Sequence, residues 1–357
     1  YLPSNMMSIG EYSFSNCKKL IEISLPSSIA SIGNSAFSFC SSLTEVILPS
    51  DLNDIAEKLF ENCSGLIEVH LSSSLKSIGL RAFAECSNLQ RVNVPSGLES
   101  IGGGAFLGCK KLEKIHLPSS LTSLGSYAFQ ECKSLTEVII PSGITELEEY
   151  VFGFCTNLEQ VHLPDTLISI GASAFRASGL IEINFPSSLT SIGSVAFSSC
   201  EDLIEVTIPS NITSLENSVF SGCKNLTKVT LPDTLTSLGM AAFSYCSSLS
   251  KIDLPSSLTS IERETFRGCS SLTEIDMPNV NKILETYGVK PFETGIIRET
   301  DTSRMLTGSP DLIMPEIQYS VATKNLYNTN GAIFVNATKI NIDEENLEKP
   351  TKEGYEF

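Results

Sequence analysis

Eleven cysteines and three histidines are the residues of this sequence with most chemistry to offer, through metal coordination, disulfide formation or nucleophilic attack. Their spacing restricts all three. The cysteines are Cys17, Cys40, Cys63, Cys86, Cys109, Cys132, Cys155, Cys200, Cys223, Cys246 and Cys269, each three residues after a phenylalanine; Ser178 takes the one missing place. No C-x-x-C occurs. An odd count, uniform spacing and a position between apolar columns read as small buried thiols used for packing. A disulfide between neighbouring repeats needs specific Cβ geometry, and an unbroken ladder of cysteines gives no preferred pairing. The pattern is compatible with an oxidising compartment without requiring one.

The histidines, His70, His116 and His162, recur in every second repeat at an outward position. Two repeats of stacked strand separate them by ~10 Å, whereas zinc needs each ring nitrogen at about 2.1 Å. No shared metal ion, and no cofactor of any kind, is expected. The sequence lacks a nucleophile elbow, a P-loop, an HExxH pair and a calcium-loop spacing. Gly102 to Gly104 lack the further glycine and the strand–helix setting of a dinucleotide loop. Catalysis would rest on scattered carboxylates alone, and a smooth array of strands offers no convergent cleft for them. The chain is therefore read as a non-enzyme. N-x-S/T triplets begin at Asn62, Asn211, Asn225 and Asn336 and matter only in a eukaryotic secretory setting.

The elements that position these residues come from one repeated phrase. Phenylalanine recurs at positions 14, 37, 60, 83, 106, 129, 152, 175, 197, 220, 243 and 266, in steps of 23 residues with a single step of 22 after Phe175. Written from Leu20, the unit is L-x-x-I-x-L-P-x-x-I-x-x-I-G-x-x-A-F-x-x-C-x-x. Leu20, Ile23 and Leu25 predict a short strand with Ile23 and Leu25 inward and Glu22 and Ser24 outward. Proline, which lacks an N–H, ends it; Ser72 is the one exception in that column from Pro3 to Pro278. Glycine marks the next bend, where a left-handed or crowded backbone is expected, although Ala56, Glu148, Glu216 and Glu262 also occur there. The A-F-x-x-C stretch predicts a short helical or irregular turn. One such unit cannot bury its apolar columns alone, so the units must stack into a repeat solenoid of about twelve turns.

The L-x-x-[IV]-x-[LIV] run resembles the leucine-rich repeat, and the 23-residue form with proline, I-G-x-x-A-F and cysteine resembles its BspA-like subfamily. The resemblance covers about residues 1–278. It implies secretion or attachment at the cell surface, as in gut and oral bacteria and some protozoa. It also implies a role in adhesion or host interaction without enzymatic activity, and it carries no catalytic residues.

In such a fold the outward strand positions form a continuous concave face. Its central column runs Ser24, Ile47, His70, Asn93, His116, Ile139, His162, Asn184, Thr207, Thr230, Asp253 and Asp276. Exposed Ile47 and Ile139 among His and Asn resemble a recognition surface; plain strand propensity gives the same residues without a ligand. The neighbouring column starts with Glu22, Glu45 and Glu68, whose stacked carboxylates repel one another, and continues with Arg91 and Lys114 as a small cationic step. The candidate ligand site is Ile47, His70, Arg91, Asn93, Lys114, His116, Ile139 and His162. Two roles stand open: a binding module for a host or bacterial surface protein or glycan, or a structural stalk projecting other modules. The chain is expected to act as a monomer.

A formal charge of −17 disfavours sequence-independent attraction to nucleic acid or anionic lipid. No apolar run approaches the ~18 to 20 residues of a spanning helix. After Pro278 the repeat stops. Residues 279–315 are expected to cap the solenoid and link onward. Residues 316–357 predict a hairpin whose strands, Tyr319 to Tyr327 and Ala332 to Ile342, flank the turn Asn328-Thr329-Asn330-Gly331. The closing run from Pro350 to Phe357 resembles the P-T-x-x-G-Y-x-F of a Listeria–Bacteroides type surface repeat. Both ends are expected to be cuts within a longer exported protein whose signal and anchor segments are absent from this chain.

Overall fold

Most coils contribute two short strands to the solenoid rather than the one the sequence predicts. The computed structural model describes residues 2–272 and, as strands only, Glu274–Asp276, Gln318–Ser320 and Asn325–Tyr327. The first strand, such as Glu45–Ile47, Glu68–His70 or Glu137–Ile139, lies just before the proline column. The second is a Ser-Ile pair or its equivalent before the glycine column, as at Ser77–Ile78 and Ser100–Ile101. Equivalent strands of successive coils pair in parallel, with Ile47 opposite His70 and Ile78 opposite Ile101. Two residues are too few to display alternation, which is why the second strand escapes periodicity. Between the two strands proline opens a turn: Ile29 N–H donates to the Pro26 carbonyl at 3.1 Å.

No helix forms among the described residues, so of the expected helical or irregular turn the A-F-x-x-C stretch takes the irregular form. It is a run of tight turns that divides its N–H groups between two destinations. Ala36, Ser38 and Cys40 donate three residues back within the coil, at 3.1 to 3.3 Å. Ser35, Phe37 and Phe39 donate to Glu57, Leu59 and Glu61 of the next coil, at 2.7 to 3.0 Å. An α-helix points every N–H along its own axis and cannot supply those forward rungs. Left-handed residues make the division, Ser35 at φ 55° and Phe39 at φ 60°, and both columns recur along the solenoid. Most are not glycine; even β-branched Val195 holds φ 64°. Each costs roughly 1 to 2 kcal/mol for an L-residue, offset by the rung it makes, worth about 1 kcal/mol net.

The glycine column answers to crowding, not handedness. A Cβ on Gly125 would lie 2.5 Å from the Gly103 nitrogen, and one on Gly33 would lie 2.6 Å from the Glu11 nitrogen, both in the preceding coil. Ala56, Glu148, Glu216 and Glu262 each follow a coil that has glycine at this position.

The twelve phenylalanines form one column of stacked rings from Phe14 to Phe266, with centroids 5.2 to 6.0 Å apart and planes within 13°. Its eleven steps are about eleven full turns of the coil. Around it the Leu43, Val46 and Ile55 columns complete one continuous core.

Nine of the eleven cysteines are buried in this core; Cys17 is exposed and Cys269 half-buried, and all are free thiols. From Cys40 onward each Sγ donates to the carbonyl of the phenylalanine one coil earlier, as Cys63 does to Phe37 at 3.0 Å. That carbonyl also accepts from the cysteine N–H of its own coil, 3.3 Å for Cys40 to Phe37, so both of its lone pairs are used. The thiols are packing groups, as expected, with a hydrogen bond added.

The 22-residue step is absorbed at the corner after Ser178, whose hydroxyl meets Cys200 Sγ at 3.3 Å. In that coil the first strand shrinks to a bridge at Glu182, while Ile170 still pairs with Ile192 in register.

The expected cap and linker, residues 279–315, lie outside the described residues. Beyond them Gln318–Ser320 pairs antiparallel with Asn325–Tyr327. The hairpin therefore folds within the segment the sequence reads as a single strand; its expected partner, Ala332 to Ile342, and the closing run from Pro350 lie outside the described residues.

Candidate functional site: the exposed strand face

The alternation in-out that buries Val46, Val69, Val138 and Val161 turns residues 45, 47, 68, 70, 137, 139, 160 and 162 outward. Ile47 and Ile139 are 63% and 58% exposed, apolar surface that folding leaves in water. Ile47 pairs in register with His70, and Ile139 with His162. The expected column thus exists as two similar pairs, each an isoleucine beside a histidine.

The face is not one continuous sheet, as the sequence suggests. It is divided into short sheets: Glu45–Ile47, Glu68–His70 and Arg91–Val92 form one, Glu137–Ile139 and Gln160–His162 another. Lys114 and His116 fall between them, on a coil outside both ladders, and both are exposed. The stretch is too short and too irregular in its backbone pairing for side-chain periodicity to reveal the break.

Charge on this face is arranged around the histidines. His70 Nε2 lies 3.4 Å from Glu45 and 3.8 Å from Glu68, and His162 Nε2 lies 3.1 Å from Glu137. His70 therefore sits against two of the three stacked carboxylates whose mutual repulsion the sequence implies. Lys228 meets Glu205 at 3.4 Å farther along the same column. Asn93 is partly committed elsewhere: its Oδ1 accepts the Leu71 N–H at 2.8 Å, closing the end of a strand. No three His, Cys, Asp or Glu side chains converge as a metal cage among the described residues.

Sequence reasoning missed the carboxylate partners of the histidines, although they stand in the adjacent column one coil earlier. It also missed an aromatic group on the turn face. Tyr127 and Tyr150 stack at 5.3 Å, Tyr150 meets Phe154 at 6.3 Å, and Arg176 lies 5.5 Å over Phe154 while donating to the Tyr150 hydroxyl at 3.2 Å. Its signal was present as tyrosine in consecutive repeats, two residues after the glycine column.

Parallel coils around a phenylalanine column, with an open strand face and no helix among the described residues, define a leucine-rich repeat solenoid. The family model for the BspA type leucine rich repeat region matches residues 1–104, 78–204 and 190–302, in six copies. The chain belongs to this family. A leucine-rich repeat protein from Bacteroides ovatus has a similar structure, with 32% identity over 76% of each chain and a TM-score of 0.67. A leucine rich cell surface protein from Faecalibacterium prausnitzii matches 77% of this chain and 82% of its own, with 24% identity and a TM-score of 0.42. The pneumococcal vaccine antigen PcpA matches 80% of this chain and 75% of its own, with 20% identity and a TM-score of 0.46. No curated protein matches the chain. No helix among the described residues is long and apolar enough to cross a membrane.

Proposed function

We propose that this chain is a non-enzymatic binding module of an exported or cell-surface protein, holding a host or bacterial surface protein or glycan on its strand face. The observation that carries the proposal is the exposure of Ile47 and Ile139, each beside a histidine–glutamate pair. Isolated exposed hydrophobics are ordinary, but the same apolar-plus-polar unit repeated on one open face fits a recognition surface. Arg91, Asn93, Lys114 and His116 occupy the ground between the two units. The site needs no metal or cofactor and works in the monomer.

The test is an array of matrix proteins and glycans probed with the native chain and with a variant carrying Ile47→Asp, His70→Asp, His116→Asp and Ile139→Asp. A circular dichroism melt establishes that the variant folds. A hit that the folded variant loses supports the proposal; a hit that it keeps at full affinity overturns the strand-face site. The uninterrupted ring column favours one rival, a stiff stalk that projects other modules, for which native chain and variant alike give no hit.

A further inference from the structure

From the clustering of its unpaired cations, we infer that the middle of the strand face binds a sulfated polysaccharide through Arg91, Lys110, Lys111, Lys114 and Lys133. The inference rests on the reading of this face as a binding surface and names its ligand class.

Of the sixteen lysines and arginines among the described residues, seven are neutralised where they stand. Lys58, Lys76, Arg81, Lys224, Lys228, Lys251 and Arg267 meet carboxylates at 2.6 to 3.4 Å. Arg176 is placed on Tyr150, and Arg263 meets the Met240 sulfur at 3.2 Å. The five cations named above form no ion pair among the described residues, are all exposed, and belong to three successive coils. Among the described residues only Lys18 and Lys19, in the first coil, are comparable. Lys110 and Lys133 are equivalent corner positions of adjacent coils, joined by the Ser134 N–H to the Lys110 carbonyl at 3.1 Å. Arg91 and Lys114 are equivalent strand positions. Glu113 lies among them, and Glu137, the next residue of the strand column, is held by His162 at 3.1 Å.

The backbone supplies an independent observation at the same place. From Glu113 to Leu117 no N–H or C=O pairs with a neighbouring coil, although the coils on either side are laddered from residue 68 to 92 and from 137 to 162. Lys110 and Lys111 precede this unladdered stretch, Lys114 lies in it, and Arg91 and Lys133 stand on the coils to either side. An anion arriving there finds both charge and N–H groups. Net charge does not forbid this, because at physiological salt the potential of carboxylates beyond about 8 Å is screened.

The chemistry of the patch selects the polyanion. Four of the five cations are lysines, hydrated point charges on flexible stems, rather than planar arginine forks suited to bidentate phosphate. Among the described residues His116 is the one aromatic ring beside them, short of the succession of rings on which nucleic-acid bases stack. The apolar component is confined to Ile139, on the coil of Lys133, too little for the core of a protein interface. Successive cations rise with the coils at about 5 Å, so an extended chain of sulfates along the solenoid axis meets a charge at each coil.

The test is retention on immobilised heparin, with affinity measured from 0.05 to 0.5 M salt. One variant carries Arg91→Gln, Lys110→Gln, Lys111→Gln, Lys114→Gln and Lys133→Gln. A control removes charge from ion-paired lysines instead, with Lys76→Gln, Lys224→Gln, Lys228→Gln and Lys251→Gln. The patch variant is expected to lose at least about tenfold in affinity at 0.15 M salt and to have a shallower salt dependence. The control is expected to stay within about twofold. No retention of the native chain, or equal loss in both variants, overturns the inference. Equal affinity for desulfated heparin, duplex DNA or polyglutamate overturns the ligand class. A native chain that ignores heparin but gives another array hit, lost on the Asp variant, leaves the strand-face function standing without this ligand.

Discussion

Truncating Phe129 to alanine tests the physical basis of the solenoid. Its ring is fully buried and stacks between Phe106 at 5.3 Å and Phe152 at 5.6 Å. The backbone around it is tied to both neighbouring coils: Phe129 N–H donates forward to Val151 at 2.9 Å, and Phe106 N–H reaches Ala128 at 2.8 Å. The walls of the resulting cavity cannot collapse without breaking those rungs. Phe→Ala in a core costs about 3 to 5 kcal/mol, more when the site stays open, and two stacked partners are lost, so about 5 kcal/mol is expected. Phe14, half-buried and stacked only on Phe37 at 5.2 Å, should cost about 2 kcal/mol. Urea unfolding followed by circular dichroism measures both, and Phe129→Leu should recover most of the loss. Equal costs at the two positions, or less than about 2 kcal/mol at Phe129, would refute the ring column as the core and the nearest-neighbour stacking that follows from it.

A thiol reagent should label Cys17 promptly and Cys269 more slowly, and reach the nine buried cysteines only on unfolding; mass spectrometry counts the adducts. Burial pushes Cys155 and Cys200 up to about 12, so both stay protonated, and unlabelled, when the pH is raised from 7 to 9. Gly125→Ala forces a Cβ to within 2.5 Å of the Gly103 backbone and should destabilise by about 1 to 3 kcal/mol. Val195→Gly relieves a left-handed β-branched residue and should leave the midpoint unchanged or raise it by up to about 1 kcal/mol; chemical denaturation reads both. Ile47→Asp with Ile139→Asp should change stability by no more than about 0.5 kcal/mol, since neither side chain belongs to the core.

What the sequence discloses here is periodicity, and it discloses what periodicity controls. The phenylalanine, cysteine and inward leucine columns are legible because each coil repeats one contact with its neighbour, so the same side chain is required every time. The Ser-Ile strand is invisible because two residues carry no alternation. The left-handed positions are hidden for another reason: Ser35, Phe39 and Val195 are held there by rungs to the next coil, and tertiary hydrogen bonds override residue preference. The glycine column is legible as a constraint but ambiguous in cause until the preceding coil is in place. On the strand face, outward placement of Ile47, His70, Ile139 and His162 follows from alternation. The break at Lys114 and His116, and the glutamates that hold the histidines, depend on how coils sit on one another.

The most direct test of the central claim compares two folded variants against a ligand identified on the array. One carries Ile47→Asp, His70→Asp, His116→Asp and Ile139→Asp on the strand face. The other places the same kind of charge on exposed residues away from it, Leu80→Asp and Tyr245→Asp. Affinity measured by calorimetry at physiological salt should fall at least about tenfold, or 1.4 kcal/mol, in the first and stay within about twofold in the second. Equal affinity in the first variant, or equal loss in both, would contradict a ligand site on the strand face.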